Sequence, residues 1–185
     1  ELFFGCKVEP QTAARVLQTI ADERADYVLI GMPGCGKTTV GTLLAEQSGR
    51  RFFDLDAEIA ARSGRTAAEW IRTRGEDAFR AYESEVCASL AAESGAVIAC
   101  GGGTVTRPEN MRRLCRNGTV ICLTRPLDAL ATADRPLSAD GVAHLYKARR
   151  PLYEAYADLT VENDGDPAQT AREILARVRN RKEPL

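Results

Sequence analysis

Short apolar runs alternate along this chain with longer segments whose apolar positions recur every three to four residues. Tyr27–Ile30, Ala96–Cys100 and Thr119–Leu123 are nearly unbroken apolar runs and read as buried strands. Arg51–Asp56 and Asp158–Glu162 read as two more strands. Between them, helical periodicity predicts Thr39–Glu46, Glu76–Leu90 and Ala168–Arg181, with Phe79, Glu83, Val86 and Leu90 on one stripe of the second. Thr66 and Glu69 make a capping-box pattern at the start of a short helix that Gly75 ends. Pro108 opens another helix near Arg107–Cys115, and Pro151 must kink or restart the helix spanning Val142–Tyr156. Strands that alternate with helices predict a parallel sheet covered on both faces. Two stretches stand apart. Pro10–Ala25 has helical period but precedes the first strand, and 125–139 is polar and reads as a mobile lid.

The first strand runs into Gly31-Met-Pro-Gly-Cys-Gly-Lys-Thr38 and then a helix. Strand, G-x-x-x-x-G-K-[ST] loop and helix together make a phosphate-cradling P-loop. Glycines let backbone N–H groups turn inward as an anion nest, and the helix N-terminus adds donors and a positive dipole end. Gly34, Cys35, Gly36, Lys37, Thr38 and Thr39 are the candidate nucleotide-binding residues. Lys37 is placed to reach the β- and γ-phosphates, and the Thr38 hydroxyl to ligate Mg²⁺. By itself the motif says only that a nucleoside triphosphate binds.

Other candidates lie at the carboxyl ends of strands, where ligands sit in open α/β sheets. Strand alternation would put Asp54 and Asp56 on one side, facing a metal–phosphate site, although Asp56 could instead cap a helix at Ala57. Gly101, Gly102 and Gly103 follow the third strand and would admit a ligand close to the backbone. Arg80 and Glu83 are neighbours on a helix, either an exposed ion pair or an arginine held toward a substrate carboxylate. His144 and Trp70 read as surface and packing residues.

Composition narrows the class. The 185 residues are 44% hydrophobic and 28% charged, with 25 basic and 26 acidic side chains and a net charge of −1. That balance predicts neither nucleic-acid nor membrane partners. Six cysteines show neither C-x-x-C nor metal-ligand spacing, which points to a reduced, cytoplasmic compartment.

Taken together, six ordered motifs resemble the shikimate kinase family. They are the P-loop, Asp54-x-Asp56, Gly75-Glu-x-x-Phe79-Arg80-x-x-Glu83, Gly101-Gly-Gly103, Arg135-Pro-Leu137 and Arg149-x-Pro-Leu-Tyr153. The resemblance implies a P-loop NTPase fold akin to nucleoside-monophosphate kinases, three layers α/β/α with a five-stranded parallel sheet in order 2-3-1-4-5. It implies ATP-dependent phosphorylation of shikimate at the 3-hydroxyl, a step toward chorismate and the aromatic amino acids. It also implies roles. Thr38 would ligate Mg²⁺ with Asp54 behind it, and Asp56 would contact the reacting hydroxyl as candidate base. Arg80 and Arg149 would clamp the carboxylate, and Gly101–Gly103 would take up ring hydroxyls. Arg135 would join Lys37 on the ATP phosphates as a catalytic residue from the lid. This sequence departs from the family in a short lid without a second arginine near adenine, and in Ile71 where a Phe often lines the pocket. Arg149 is chosen over Arg150 by its spacing to Pro151-Leu-Tyr153. The resemblance covers 27–185, the expected kinase domain, with the lid at about 125–140. Residues 1–26 read as a helical extension or linker, and their Glu-Leu-Phe-x-Gly-like start resembles the C-terminal end of shikimate dehydrogenase, which would make them the tail of a fused upstream domain. The rival readings are another small-polyol kinase and a nucleotide-binding module without turnover.

Overall fold

The computed structural model describes residues 2–3, 6–7, 9–130 and 139–182. The chain begins with a two-stranded antiparallel ribbon, β1 (Leu2–Phe3) and β2 (Cys6–Lys7), which the hydrophobic pattern does not announce. Helix α1 (Pro10–Arg24) follows, and none of its residues is buried. It is tied to the rest at its C-terminal end: the Arg24 carbonyl accepts from Gly95 N–H at 2.8 Å and from Asn117 Nδ2 at 3.1 Å.

The main sheet is built from β3 (Asp26–Ile30), β4 (Arg51–Asp54), β5 (Ala96–Ala99), β6 (Gly118–Thr124) and β7 (Leu159–Glu162). All pairings are parallel and the spatial order is β4-β5-β3-β6-β7, the expected 2-3-1-4-5. Burial explains the sequence pattern. Every residue of β3 and β5 is buried, so neither strand alternates, whereas the edge strand β7 alternates buried and exposed positions.

Helices α2 (Lys37–Ser48), α3 (Leu55–Ser63), α4 (Ala67–Arg74), α5 (Glu76–Leu90), α6 (Pro108–Leu114), α7 (Ala139–Tyr156) and α8 (Pro167–Lys182) cover the sheet. Thr66 and Glu69 form the full capping box at α4, and Pro108 sits in the first turn of α6. Phe79, Glu83, Val86 and Leu90 are all buried along α5, as their spacing requires. Pro151 lies inside α7, which runs unbroken through it. Its missing N–H and ring clash bear on the preceding turn, which here carries Arg149 into the site described below.

One boundary differs from expectation in a way that matters. The second strand ends at Asp54, and Asp56 stands in the first turn of α3. Asp54, not Asp56, caps that helix, accepting the Ala57 N–H at 3.1 Å. The two carboxylates are therefore separated by a strand-to-helix turn rather than stacked along one strand face.

Candidate active site

The site lies over the carboxyl edge of the sheet, centred on β3. That strand delivers the chain into the P-loop, and the 12-residue α2 starts directly after it, with Gly36 as its N-cap. The ammonium of Lys37 spans the loop, donating to the carbonyls of Gly31 and Met32, each at 2.9 Å. Cys35 is fully buried in the loop wall. Thr38 Oγ1 donates to Asp54 Oδ2 at 2.6 Å, so the two residues expected at the metal adjoin one another beside the anion nest. A hydroxyl and a carboxylate are hard oxygen donors. They suit Mg²⁺, which takes one or two protein ligands and fills its octahedron with phosphate oxygens and water. No cluster of three or more His, Cys, Asp or Glu side chains able to hold a metal occurs among the described residues.

Beside the P-loop opens a cleft of about 580 Å³, walled by Pro33, Asp56, Ile71, Arg80, Gly101–Gly103 and Arg149. Five of the six expected substrate-binding positions are thereby brought to one place by two helices, α3 and α5, and the end of β5, and the sixth, Arg149, arrives on α7. Arg80 is fixed rather than free. Its Nη1 donates to Glu83 Oε2 at 2.8 Å, and its Nη2 to Glu76 Oε1 at 3.2 Å. Glu83 has no exposed surface, and its other oxygen accepts from Thr104 Oγ1 at 3.0 Å. Burial works against the charge on Arg80, but Glu83 and Glu76 outweigh it and hold the guanidinium above its ordinary pKa. A cation so held offers its remaining N–H groups in a fixed direction, as recognition of a planar carboxylate needs. Arg80 and Glu83 thus form a part-buried ion pair around a fully buried carboxylate, not an exposed one.

The three glycines have a reason that composition does not give. A side chain on Gly103 would place Cβ 2.3 Å from Arg80 Nη2; on Gly102 it would meet Pro33 Cγ at 2.7 Å; on Gly101, Asp56 Oδ1 at 2.9 Å. The loop is bare so that the protein's own arginine, proline and aspartate can close over it.

Arg149 lines the cleft, while Arg150 points away and pairs with Glu154 at 2.6 Å on an exposed face. Tyr153, one turn beyond, is buried, and its hydroxyl donates to the Gly102 carbonyl at 2.7 Å. It fastens α7, and Arg149 with it, to the glycine loop. Burial pushes its phenol pKa well above normal, while the adjacent Arg149 acts in the opposite sense. This anchoring role is not readable from spacing, although the position belongs to the Arg149-x-Pro-Leu-Tyr153 motif. Ile71 reaches the cleft from α4 with 41% of its surface exposed. Arg135 and the rest of 131–138 in the expected lid lie outside the described residues. His144 is exposed on α7, and Trp70 stacks on Tyr82 at 4.9 Å. A residue missed altogether by sequence reasoning is Asn163, directly after β7, whose buried amide donates to the Cys35 carbonyl of the P-loop at 2.8 Å. Its place at a carboxyl strand end was the available signal.

Comparison with known proteins identifies the family and the fold. A family model described as Shikimate kinase matches residues 33–179. The shikimate kinase of Persephonella marina is 37% identical over 160 residues, covering 82% of this chain and 97% of the relative. That of Clostridium beijerinckii is 38% identical over 154 residues, covering 80% of this chain and 90% of the relative. Among solved structures, shikimate kinase from Acinetobacter baumannii in complex with shikimate superposes with a TM-score of 0.84 at 33% identity, over 90% of this chain and 99% of that one. A gluconokinase from Sinorhizobium meliloti shares the fold, with a TM-score of 0.58 at 18% identity over 86% of this chain and 94% of that one. This chain belongs to the shikimate kinase family, whose members phosphorylate shikimate with ATP.

Proposed function

We propose that this enzyme transfers the γ-phosphoryl group of ATP to the 3-hydroxyl of shikimate in the cleft between Arg80, Arg149 and Asp56, with the P-loop holding the donor. One observation carries the assignment of roles: a fixed, part-buried guanidinium, a second arginine and a carboxylate share a cleft whose glycine wall adjoins the P-loop through Pro33. The arginines suit the substrate carboxylate, and Asp56 and the glycine backbone suit hydroxyls. Lys37 and the loop N–H groups bind the β- and γ-phosphates and stabilise charge as the γ-phosphoryl leaves the β-phosphate oxygen. Asp56 orients the attacking hydroxyl in line and accepts its proton as the new O–P bond forms. Thr38 and Asp54 would hold Mg²⁺, which supplies charge neutralisation on the phosphates. Arg135 adds a further cation from the lid, and lid closure keeps water from the γ-phosphate.

We also assign residues 1–26 to an extension and 27–185 to the kinase domain. The exposed apolar face of α1 (Val16, Leu17 and Ile20) takes no part in the kinase core, which supports that division. Cys35, Cys87, Cys100, Cys115 and Cys122 are free thiols, which suits the cytoplasm. No helix among the described residues is long and apolar enough to cross a membrane.

ADP release in a coupled assay tests the reading. Turnover should depend on added shikimate, with the 3-phosphate as product by NMR. Turnover with gluconate and none with shikimate, or ATP binding without turnover, would overturn it.

A further inference from the structure

We infer that Asn163, with Thr170 behind it, is a positioning residue that sets the direction of a P-loop N–H and thereby the grip on the transferred phosphoryl group. The inference rests on the P-loop being the phosphate site, as proposed above. Asn163 is 5% exposed and Thr170 6%. The Asn163 backbone N–H donates to the Thr124 carbonyl at 2.8 Å, which fixes the residue to the end of β6. Its side-chain Nδ2 donates to the Cys35 carbonyl at 2.8 Å. Its Oδ1 accepts from Thr170 Oγ1, on α8, at 3.1 Å. The Cys35 carbonyl can only accept, so it selects the amide orientation that leaves the nitrogen facing the loop and the oxygen facing Thr170.

The consequence follows from the geometry of the peptide unit. In a planar trans peptide the carbonyl and the following N–H point in opposite directions. Holding the Cys35 carbonyl out toward Asn163 therefore turns the Gly36 N–H inward. Gly36 is the N-cap of α2, so this N–H belongs to the donors that a helix N-terminus offers an anion. Gly36 has φ +95, and a side chain there would place Cβ 2.3 Å from Asn163 Nδ2. The glycine is thus required both by the left-handed backbone and by the approach of the amide. Asn163 and Gly36 are two halves of one device that keeps the nest open in the geometry that the transition state needs. A preset donor acts on developing charge without reorganising, so its loss should appear in catalysis more than in folding.

The test compares Asn163→Ala, Asn163→Asp and Thr170→Val with the parent at 25 °C, below their melting temperatures. Steady-state kinetics would be joined by ADP affinity from calorimetry. Asn163→Ala should lower kcat/KM for ATP about 10-fold or more and weaken ADP binding, leaving the KM for shikimate within about twofold. Thr170→Val should do the same more weakly, and Thr170→Ser should restore the parent values. Asn163→Asp adds a readout that packing alone would not move. Its carboxylate cannot donate to the Cys35 carbonyl, but its protonated form can. Its activity relative to the parent should therefore rise as the pH falls from about 8 to about 6. Unchanged nucleotide constants with only a lower melting temperature would overturn the inference, as would equal losses for both substrates. Should the parent protein itself fail to turn over ATP and shikimate, the phosphate-site reading falls first, and the two failures are thereby told apart.

Discussion

Replacing Gly103 with alanine probes the arginine clamp without touching the arginine. The Gly103 backbone has φ −98 and ψ −5, which any residue adopts, so the substitution introduces no backbone strain. Its only effect is steric. The added Cβ would sit 2.3 Å from Arg80 Nη2 and 2.6 Å from both Cζ and Nη1. An ordinary contact needs about 3.5 Å, so the guanidinium must retreat by about 1.2 Å. The bond from Nη1 to Glu83 at 2.8 Å cannot survive such a move in its present geometry. A charge-assisted hydrogen bond is worth about 1.5–3 kcal/mol, equivalent to about 10- to 150-fold in an equilibrium constant. Gly103→Ala should therefore raise the KM for shikimate by one to two orders of magnitude, while the KM for ATP changes less than about twofold. The coupled ADP-release assay, with each substrate titrated in turn, measures both. An unchanged shikimate KM would refute the claim that Arg80 holds the substrate in its observed position. Equal loss for ATP and shikimate would show that the loop supports the fold rather than the clamp.

Other perturbations separate the remaining roles. Asp56→Asn should lower kcat by about 10²- to 10⁴-fold with an unchanged melting curve, and retained turnover would remove Asp56 from the base role. Arg149→Ala should raise the shikimate KM about 10-fold or more, whereas Arg150→Ala, which loses an exposed pair with Glu154 and a contact with the Tyr146 ring, should change it less than about twofold; the reverse ranking would reassign the clamp. Asp26 is 2% exposed at the start of β3, and its carboxyl pKa is raised above 3.8, mainly by burial against the opposing hydrogen bonds from Ala96 N–H and Asn117. The folded state then binds its proton more tightly than the unfolded state, so its contribution to stability falls as pH rises above 3.8 through the raised folded pKa. The stability of Asp26→Asn relative to the parent, from urea melts, should therefore increase as the pH is raised above 3.8, and a flat difference would contradict the shift.

Much of this molecule is legible because its features are local. The unbroken apolar runs of β3 and β5 state that both faces of each strand are covered, and the capping box at Thr66 marks where α4 begins. The P-loop carries its own context of strand and helix. What spacing could not give was set by contacts distant in sequence. Asp54 and Asp56 look alike on a strand; only Thr38 and Ala57 decide that Asp54 turns to the P-loop and caps α3. Gly101–Gly103 predict a close approach but not its agent, since Arg80, Pro33 and Asp56 arrive from other elements. Arg80 and Glu83 are an unremarkable helical pair until Thr104 and the glycine loop bury them. Asn163 and Tyr153 are silent for the same reason. Their partners lie 128 and 51 residues away, so a strand end marks Asn163 and a motif marks Tyr153, but no local pattern names the contacts they make.

The most direct measurement is a crystal structure of this enzyme with shikimate bound. The substrate carboxylate should lie between Arg80 and Arg149, each donating to it at ordinary hydrogen-bond distance, with the 3-hydroxyl on Asp56 and turned toward the P-loop. A carboxylate bound elsewhere, or a 3-hydroxyl facing away from Asp56 and the P-loop, would contradict the proposed site.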